Sequence, residues 1–278
     1  MPTTSELARS FYKAYEPIHS SIYFVSSAND RYAEIGLRPG WMGYFASRSA
    51  PMGAVGAEVV AATFYSFSPS LIAKYIPLAW SIAPPEAVTK ARLAAVGDIM
   101  DAALASYNHL EITAAISQLE PIALDLGLEG HPLFAGHLGS PLVDQPLIRL
   151  WQILTLFREH RGDSHLACLA SVPLSGVEAN VLHHLDGRAA KEFLTRSRGY
   201  GEQDWQLATA RLSKLGLVSQ DGAEMTKVGK EVKHAIEADT DRLSSHVPMT
   251  LGVERTQALI ESLNGIAHAI RTQHGLTF

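Results

Sequence analysis

The sequence predicts a mainly α-helical protein built from two related halves, and three observations carry that reading. Apolar residues recur at helical spacing through most of the chain, as in Ala8, Phe11, Tyr12 and Tyr15, then Leu150, Ile153, Leu154 and Phe157, while alternating strand-like runs are scarce. Phe45–Phe64 laid over Phe193–Leu212 at an offset of 148 gives five identities in 20 positions (Phe45/Phe193, Arg48/Arg196, Ser49/Ser197, Gly53/Gly201, Ala62/Ala210), where ordinary composition gives about one or two. Between the halves, Gly127 to Pro146 holds four glycines and three prolines, the densest concentration of helix breakers in the chain. The expected division is residues 1–126, a connecting loop at 127–146, and 147–278.

The individual elements follow from local signals. Thr3 and Glu6 form a capping-box pattern for a first helix. Gly36 ends a helix, and Arg38-Pro39-Gly40 turns the chain after it. In the second half, LSGVEANVLHHL and KEFLTRSR read as helices, and EQDWQLATARLSKLGLVS as a third that stops at Gly216. Two short extended pieces flank Asp221-Gly222, and a long helix follows. A last amphipathic helix covers about Gly252 to Gln273, with Ala258, Leu259, Leu263, Ile266 and Ile270 on one side.

Composition narrows the function. The chain has 278 residues, 47% hydrophobic and 18% charged, enough for a sizeable core. Its net charge of −5 lacks the basic surplus usual in nucleic-acid binders. One cysteine, Cys168, excludes an internal disulfide framework, fits a reducing cytoplasm, and reads as a core thiol rather than a nucleophile among its apolar neighbours. MPTTSELARS has no signal-peptide pattern, and the longest apolar stretch, Gly53 to Phe67, carries Glu58 and is short of the roughly 20 residues a membrane helix needs. A soluble protein is expected.

The helix order from Leu174, the Gly-Leu-Val exit at 216–218, the tight ribbon and the following MTKVGKEV together resemble the winged helix-turn-helix of MarR-type regulators over about 75 residues. EPIH, GYFASRSAPMG, ATFYSFSP and REHRGDSH resemble, in combination and across nearly the whole chain, a bacterial SalK-like family of winged-helix type. What these resemblances imply is a fold: a duplicated winged helix-turn-helix-like scaffold forming an internal pseudo-dimer. They do not imply an activity. The charges argue against DNA as a partner. The N-terminal turn of the reading helix is Glu202-Gln203-Asp204, the ribbon tip carries Asp221 and Glu224, and carboxylates repel phosphates. Arg188, Lys191, Arg196, Arg198 and Arg211 supply some positive charge nearby.

The densest set of functional groups is REHRGDSH, residues 158–165. On a helix, Trp151, Leu154, Arg158, Arg161 and His165 form one stripe, apolar at its start and cationic at its end. A helix dipping into a cavity suits that stripe: Arg158 and Arg161 would hold a carboxylate or phosphate, and His165 would serve as acid or base. A buried ion-pair network tying helices together is the other reading, with Glu159 and Asp163 as partners for the arginines, and Gly162 is a place where the helix could break. In the first half, Glu16, His19 and Tyr23 share a helical face, with Arg48 and Tyr65 as further lining, and Pro17 requires a helix start or kink nearby. If the halves are related by a pseudo-twofold, His19 and His165 meet near its axis, as an acid–base pair or as ligands of a metal or haem. No HExxH, CxxC or phosphate-loop motif supports a defined metal or nucleotide site. His131, His137, His183 and His184 read as ordinary loop or surface histidines. The expectation is a small-molecule-binding protein of specialised metabolism, with enzymatic turnover in a cavity between the halves. The alternative is a ligand-responsive transcription regulator.

Overall fold

The computed structural model describes residues 1–105 and 107–277. The chain is helical almost throughout. The first half comprises α1 (Thr4–Ser20), α2 (Ser27–Glu34), α3 (Trp41–Ser49), α4 (Ala57–Thr63), α5 (Pro69–Ala73), α6 (Leu78–Ile82), α7 (Pro85–Leu104) and α8 (His109–Leu124). A short helix, α9 (Pro132–Leu138), leads to α10 (Pro146–Ser171), α11 (Gly176–Leu185), α12 (Lys191–Arg198), α13 (Glu202–Lys214), α14 (Lys227–Leu243) and α15 (His246–His274).

Local chemistry sets most of these boundaries. Thr3 and Glu6 close a reciprocal capping box on α1, and Ser175 with Glu178 does the same for α11. α1 runs through Pro17, which sits in its last turn and is followed by a tighter 3-10 turn at Ser21–Tyr23. Gly199 takes a left-handed conformation (φ 75°) that terminates α12. α10 passes through Gly162 without a break. A glycine costs a helix only about 1 kcal/mol, and this helix buries side chains on every face, from Leu150 and Trp151 to Glu159 and Arg161. α15 includes a kink at Gly252, whose φ of 76° no L side chain adopts readily.

The connection at 127–146 is not a bare loop. α9 lies within it, with Phe134 fully buried, and the Asp163 carboxylate accepts from the amides of Leu133 and Phe134 at 3.0 Å each, capping α9 from α10. Nor does the apolar core divide at that boundary. One cluster gathers residues from Phe11 to Phe157 together with Val247 to Ile270, and a smaller one runs from Cys168 to Ile236 around Leu174, Trp205, Leu212 and Met225. The long helices cross between the halves reciprocally: α1 packs on α15, and α10 packs on α8.

The smaller core belongs to a helix-turn-helix unit. α11 packs against α12 and α13, and the chain after α13 turns at Gly222 so that Val218 and Met225 form an antiparallel bridge, a minimal wing. The two extended pieces expected around Asp221-Gly222 are reduced to this one bridge pair, and neither forms a strand. This unit is docked onto the first half by residues 65–68. The Tyr65 hydroxyl donates to the Leu174 carbonyl, Asn180 Nδ2 donates to the Ser66 carbonyl at 2.9 Å, and the Ser68 amide donates to the Arg198 carbonyl at 2.8 Å. Gly176 permits this approach, because a Cβ there would stand 1.9 Å from the Tyr65 carbonyl oxygen.

Candidate functional site

The joint between the helix-turn-helix unit and the first half encloses a cavity of about 420 Å³, within the range of small-molecule sites. α10 crosses its floor and presents Arg158, Arg161 and His165, three of the five residues of the predicted stripe. α3 and the segment after α4 add Arg48, Tyr65 and the aromatic faces of Tyr44, Phe64 and Phe67, and α1 adds Tyr12. The helix-turn-helix unit contributes Arg198 from α12 and Lys233, Glu237 and Thr240 from α14.

Beneath the cavity lies an ion-pair network in which Glu159 serves Arg48 and Arg158, whereas Asp163, the other acid expected to pair with an arginine, caps α9 instead. Arg48 binds Glu159 through Nε and Nη2 at 2.9 and 2.7 Å, and Arg158 Nη1 reaches the same carboxylate at 2.8 Å. Burial alone would raise the Glu159 pKa, but Arg158 and Arg48 together hold it well below the usual carboxylate range. Arg158 also faces Glu16 at 3.6 Å. Burial pushes the Glu16 pKa up. Arg161 Nη2 lies 2.8 Å from Asp241, while its Nη1 is buried without a hydrogen-bond partner and its guanidinium covers the Tyr12 ring at 4.5 Å.

Arg198 differs from the other arginines of the wall. Among the described residues no carboxylate lies within ion-pair distance of it, its Nε is buried without a partner, and it stacks over Phe67 at 4.4 Å. Burial, together with the like charges of Arg48 and Arg158, lowers its pKa. Lys233 shares Glu237 with Arg9. The wall therefore carries more cation than anion, in a chain whose net charge is −5.

His165 sits at the edge of this cationic wall with a defined tautomer. Thr240 Oγ1 donates to the Ile236 carbonyl at 2.7 Å, so its contact of 3.0 Å with His165 Nδ1 must be accepted from an Nδ1–H. That leaves Nε2 unprotonated, with no hydrogen bond from any described residue. Burial lowers the His165 pKa to about 4, so the ring is neutral at physiological pH.

His19 uses the same device and ends differently. Thr155 Oγ1 donates to the Trp151 carbonyl and accepts from His19 Nδ1, and His19 Nε2 accepts from the Tyr23 hydroxyl, each contact 2.8–3.0 Å. Tyr23 in turn accepts from Arg92 Nη2 at 2.9 Å. His19 is wholly buried, stacks on Trp151 and has both nitrogens engaged. It does not meet His165. Its partner Thr155 stands ten positions from His165 on α10, about 15 Å along the helix axis, so the expected acid–base pair and the shared metal or haem ligation do not form. Glu16 and Tyr23 also lie outside the cavity lining, Glu16 beneath Arg158 and Tyr23 between His19 and Arg92. Among the described residues no group of three or more His, Cys, Asp or Glu is placed to hold a metal ion.

The remaining residues singled out in the sequence are distributed through the structure. Cys168 is buried in the smaller core, and burial raises its thiol pKa. His183 lines the cavity, and His137 donates from Nε2 to the Arg48 carbonyl at 3.2 Å, so neither is an idle surface group. His131 stacks on His160 at 3.9 Å. Arg188, Lys191 and Arg211 pair with Asp186, Glu202 and Glu178, Arg198 faces the cavity, and Arg196 alone of those five is exposed without an ion pair. No single described helix is long and apolar enough to cross a membrane; α10 and α11 reach that threshold only jointly, across a 97° bend.

No curated protein and no solved structure matches the chain. A family model described as "Helix-turn-helix family" matches residues 8–277, which takes in the docked helix-turn-helix unit, the cavity and the long helices on both sides of it. The chain belongs to that helix-turn-helix family.

Proposed function

We propose that the protein binds a small organic anion with an aromatic or apolar body in the cavity at the helix-turn-helix joint. The observation that carries this reading is the pair of arginines with unsatisfied buried N–H groups, Arg161 Nη1 and Arg198 Nε, in one aromatic-walled cavity. Buried polar atoms normally find partners, and a carboxylate would satisfy both at once. Tyr12, Tyr44, Phe64 and Phe67 offer ring faces to the rest of the ligand. Turnover of that ligand, the enzymatic form of the proposal, rests on His165, whose Nε2 is free while Thr240 fixes the ring through Nδ1. His19 is left out of the proposed chemistry because both its nitrogens are committed.

A duplicated scaffold, with the halves paired as in a winged-helix dimer, is supported by the reciprocal packing of α1 on α15 and α10 on α8. Family membership favours a second reading, a ligand-responsive DNA-binding regulator. The exposed face of α13 weighs against it: Gln203, Gln206, Leu207 and Ala210 occupy most of it, Leu207 being 64% exposed, its acidic first turn holds Glu202 and Asp204, and its cations come only in the last turn, where Arg211 is paired with Glu178 and Lys214 is exposed.

The test compares benzoate with benzyl alcohol as probes of thermal stability, alongside native mass spectrometry for a co-purifying molecule. Benzoate is expected to raise the melting temperature of the parent protein and not that of Arg198→Met. Equal responses to the neutral and charged probes would overturn the reading. Salt-sensitive, sequence-specific retention of DNA in a gel shift would promote the regulator.

A further inference from the structure

A second void lies apart from the large cavity, between α7, α9 and α10, with a volume of about 30 Å³ and a wall in which Leu93, Leu142 and Leu156 stand beside polar groups. A single water needs about 10–15 Å³ on this measure, so the void holds two waters or one halide-sized ion and no organic molecule. Its wall includes Arg92, Thr89, Ser140, His137, Trp151 and Gln152 and contains no carboxylate.

Arg92 is the reason to treat this void as a site. It is only 2% exposed, and among the described residues no acid forms an ion pair with it. Of its five N–H groups, one reaches Ser47 Oγ at 3.1 Å and one the Tyr23 hydroxyl at 2.9 Å, while Nε is buried with no partner. The faces of Trp151 and Tyr23, 5.0 and 5.3 Å away, offset part of the cost of burying this charge. They do not supply a counter-charge; Glu159 favours the charged form of Arg92 only from beyond ion-pair distance and is already shared by Arg48 and Arg158, and a buried cation without an acid of its own is disfavoured. Every other buried guanidinium beside α10 has an acid: Arg48 and Arg158 share Glu159, and Arg161 has Asp241. His137 does not compete for the role of cation, because burial lowers its pKa to about 4. The hydroxyls of Thr89 and Ser140 have no described hydrogen-bond partner and can donate into the void.

We infer that the void between α7, α9 and α10 is a binding site for a single halide ion, chloride under ordinary conditions, held by Arg92. The ion neutralises Arg92, which among the described residues has no acid within ion-pair distance, and locks α7 to α10 behind Trp151.

The experiment measures thermal unfolding of the full chain in chloride, bromide and gluconate at matched ionic strength, together with bromide anomalous scattering from crystals. Chloride and bromide at about tenfold excess over Kd are expected to raise the melting temperature by about 3 °C beyond gluconate, and an anomalous peak is expected in contact with Arg92. Thr89→Leu narrows the void while keeping Arg92, and is expected to abolish the halide-specific rise; Arg198→Met is expected to retain it. Superimposable curves in the three salts, or no bromide peak at Arg92, would overturn the assignment. A rise lost in Arg198→Met and kept in Thr89→Leu would equally overturn it, placing the ion in the large cavity.

Discussion

Arg48 and Glu159 face each other across α3 and α10 in a two-point contact of 2.9 and 2.7 Å, with Glu159 fully buried. The pair fastens the first half to the helix that floors the cavity, and Arg158 depends on the same carboxylate.

Replacing Glu159 with Gln removes the negative charge and leaves two buried guanidiniums facing each other. Breaking one partner of a buried pair costs about 3–5 kcal/mol, so E159Q is expected to lose most of the chain's thermal stability. Removing both charges in Arg48→Met/Glu159→Leu is expected to recover part of that loss. Denaturant unfolding of the single and double variants checks the sign of the difference.

The two histidines predicted to meet are expected to separate in their effects. His19→Ala empties a buried ring position and strands Tyr23 and Thr155, with an expected loss of about 2–4 kcal/mol; any ligand affinity that survives folding should be unchanged. His165→Asn retains a donor toward Thr240, and is expected to leave stability nearly intact while weakening benzoate binding or abolishing turnover. Melting temperatures beside binding isotherms of both variants distinguish the roles.

Acid sensitivity follows from histidines buried in their neutral form. Burial lowers the pKa of His160 to about 3, with His131 and His246 adding to the effect, and those of His137 and His165 to about 4. Below the ordinary histidine value of 6.5 the unfolded chain takes up protons that the folded chain refuses, so stability is complete above pH 6.5 and falls as the pH drops toward 4 and then 3. Urea midpoints measured from pH 7.5 to pH 4 are expected to decline throughout, and His160→Phe is expected to flatten the decline.

Gly176→Ala probes the docking of the helix-turn-helix unit. Its Cβ would overlap the Tyr65 carbonyl, so the unit must shift away from residues 65–68. The expected result is faster proteolysis between Val172 and Leu174 and a loss of benzoate affinity, while the larger core, which does not involve this contact, keeps its hydrogen-exchange protection.

Much of the secondary structure was legible because its signals are local. The capping boxes at Thr3 and Ser175 and the left-handed Gly199 mark helix ends by neighbouring residues alone. The cavity face of α10 was legible too, since Arg158, Arg161 and His165 are related by helical spacing. What was not legible depends on how helices cross. α9 is capped by Asp163, about thirty residues downstream, so its proline-rich stretch read as loop. Whether His19 shares a space with His165 is decided by where α1 crosses α10, and that crossing sets it against Trp151 and Thr155 instead. Arg198 was seen as one more surface cation near the reading helix, and only its place opposite Phe67 reveals the unpaired charge. Arg92 stands in an alanine-rich run two positions after Lys90, and nothing local tells the buried cation from the exposed one.

The packing of α1 against α15 joins two helices that are made far apart in time, with the helices α2 to α14 synthesised between them. Phe11, Tyr15 and Ile18, all buried in the finished fold, gain cover from α10 first and complete it only when α15 has been made. Until those helices arrive the nascent chain exposes a sticky apolar stripe, which is the kind of surface that chaperones hold.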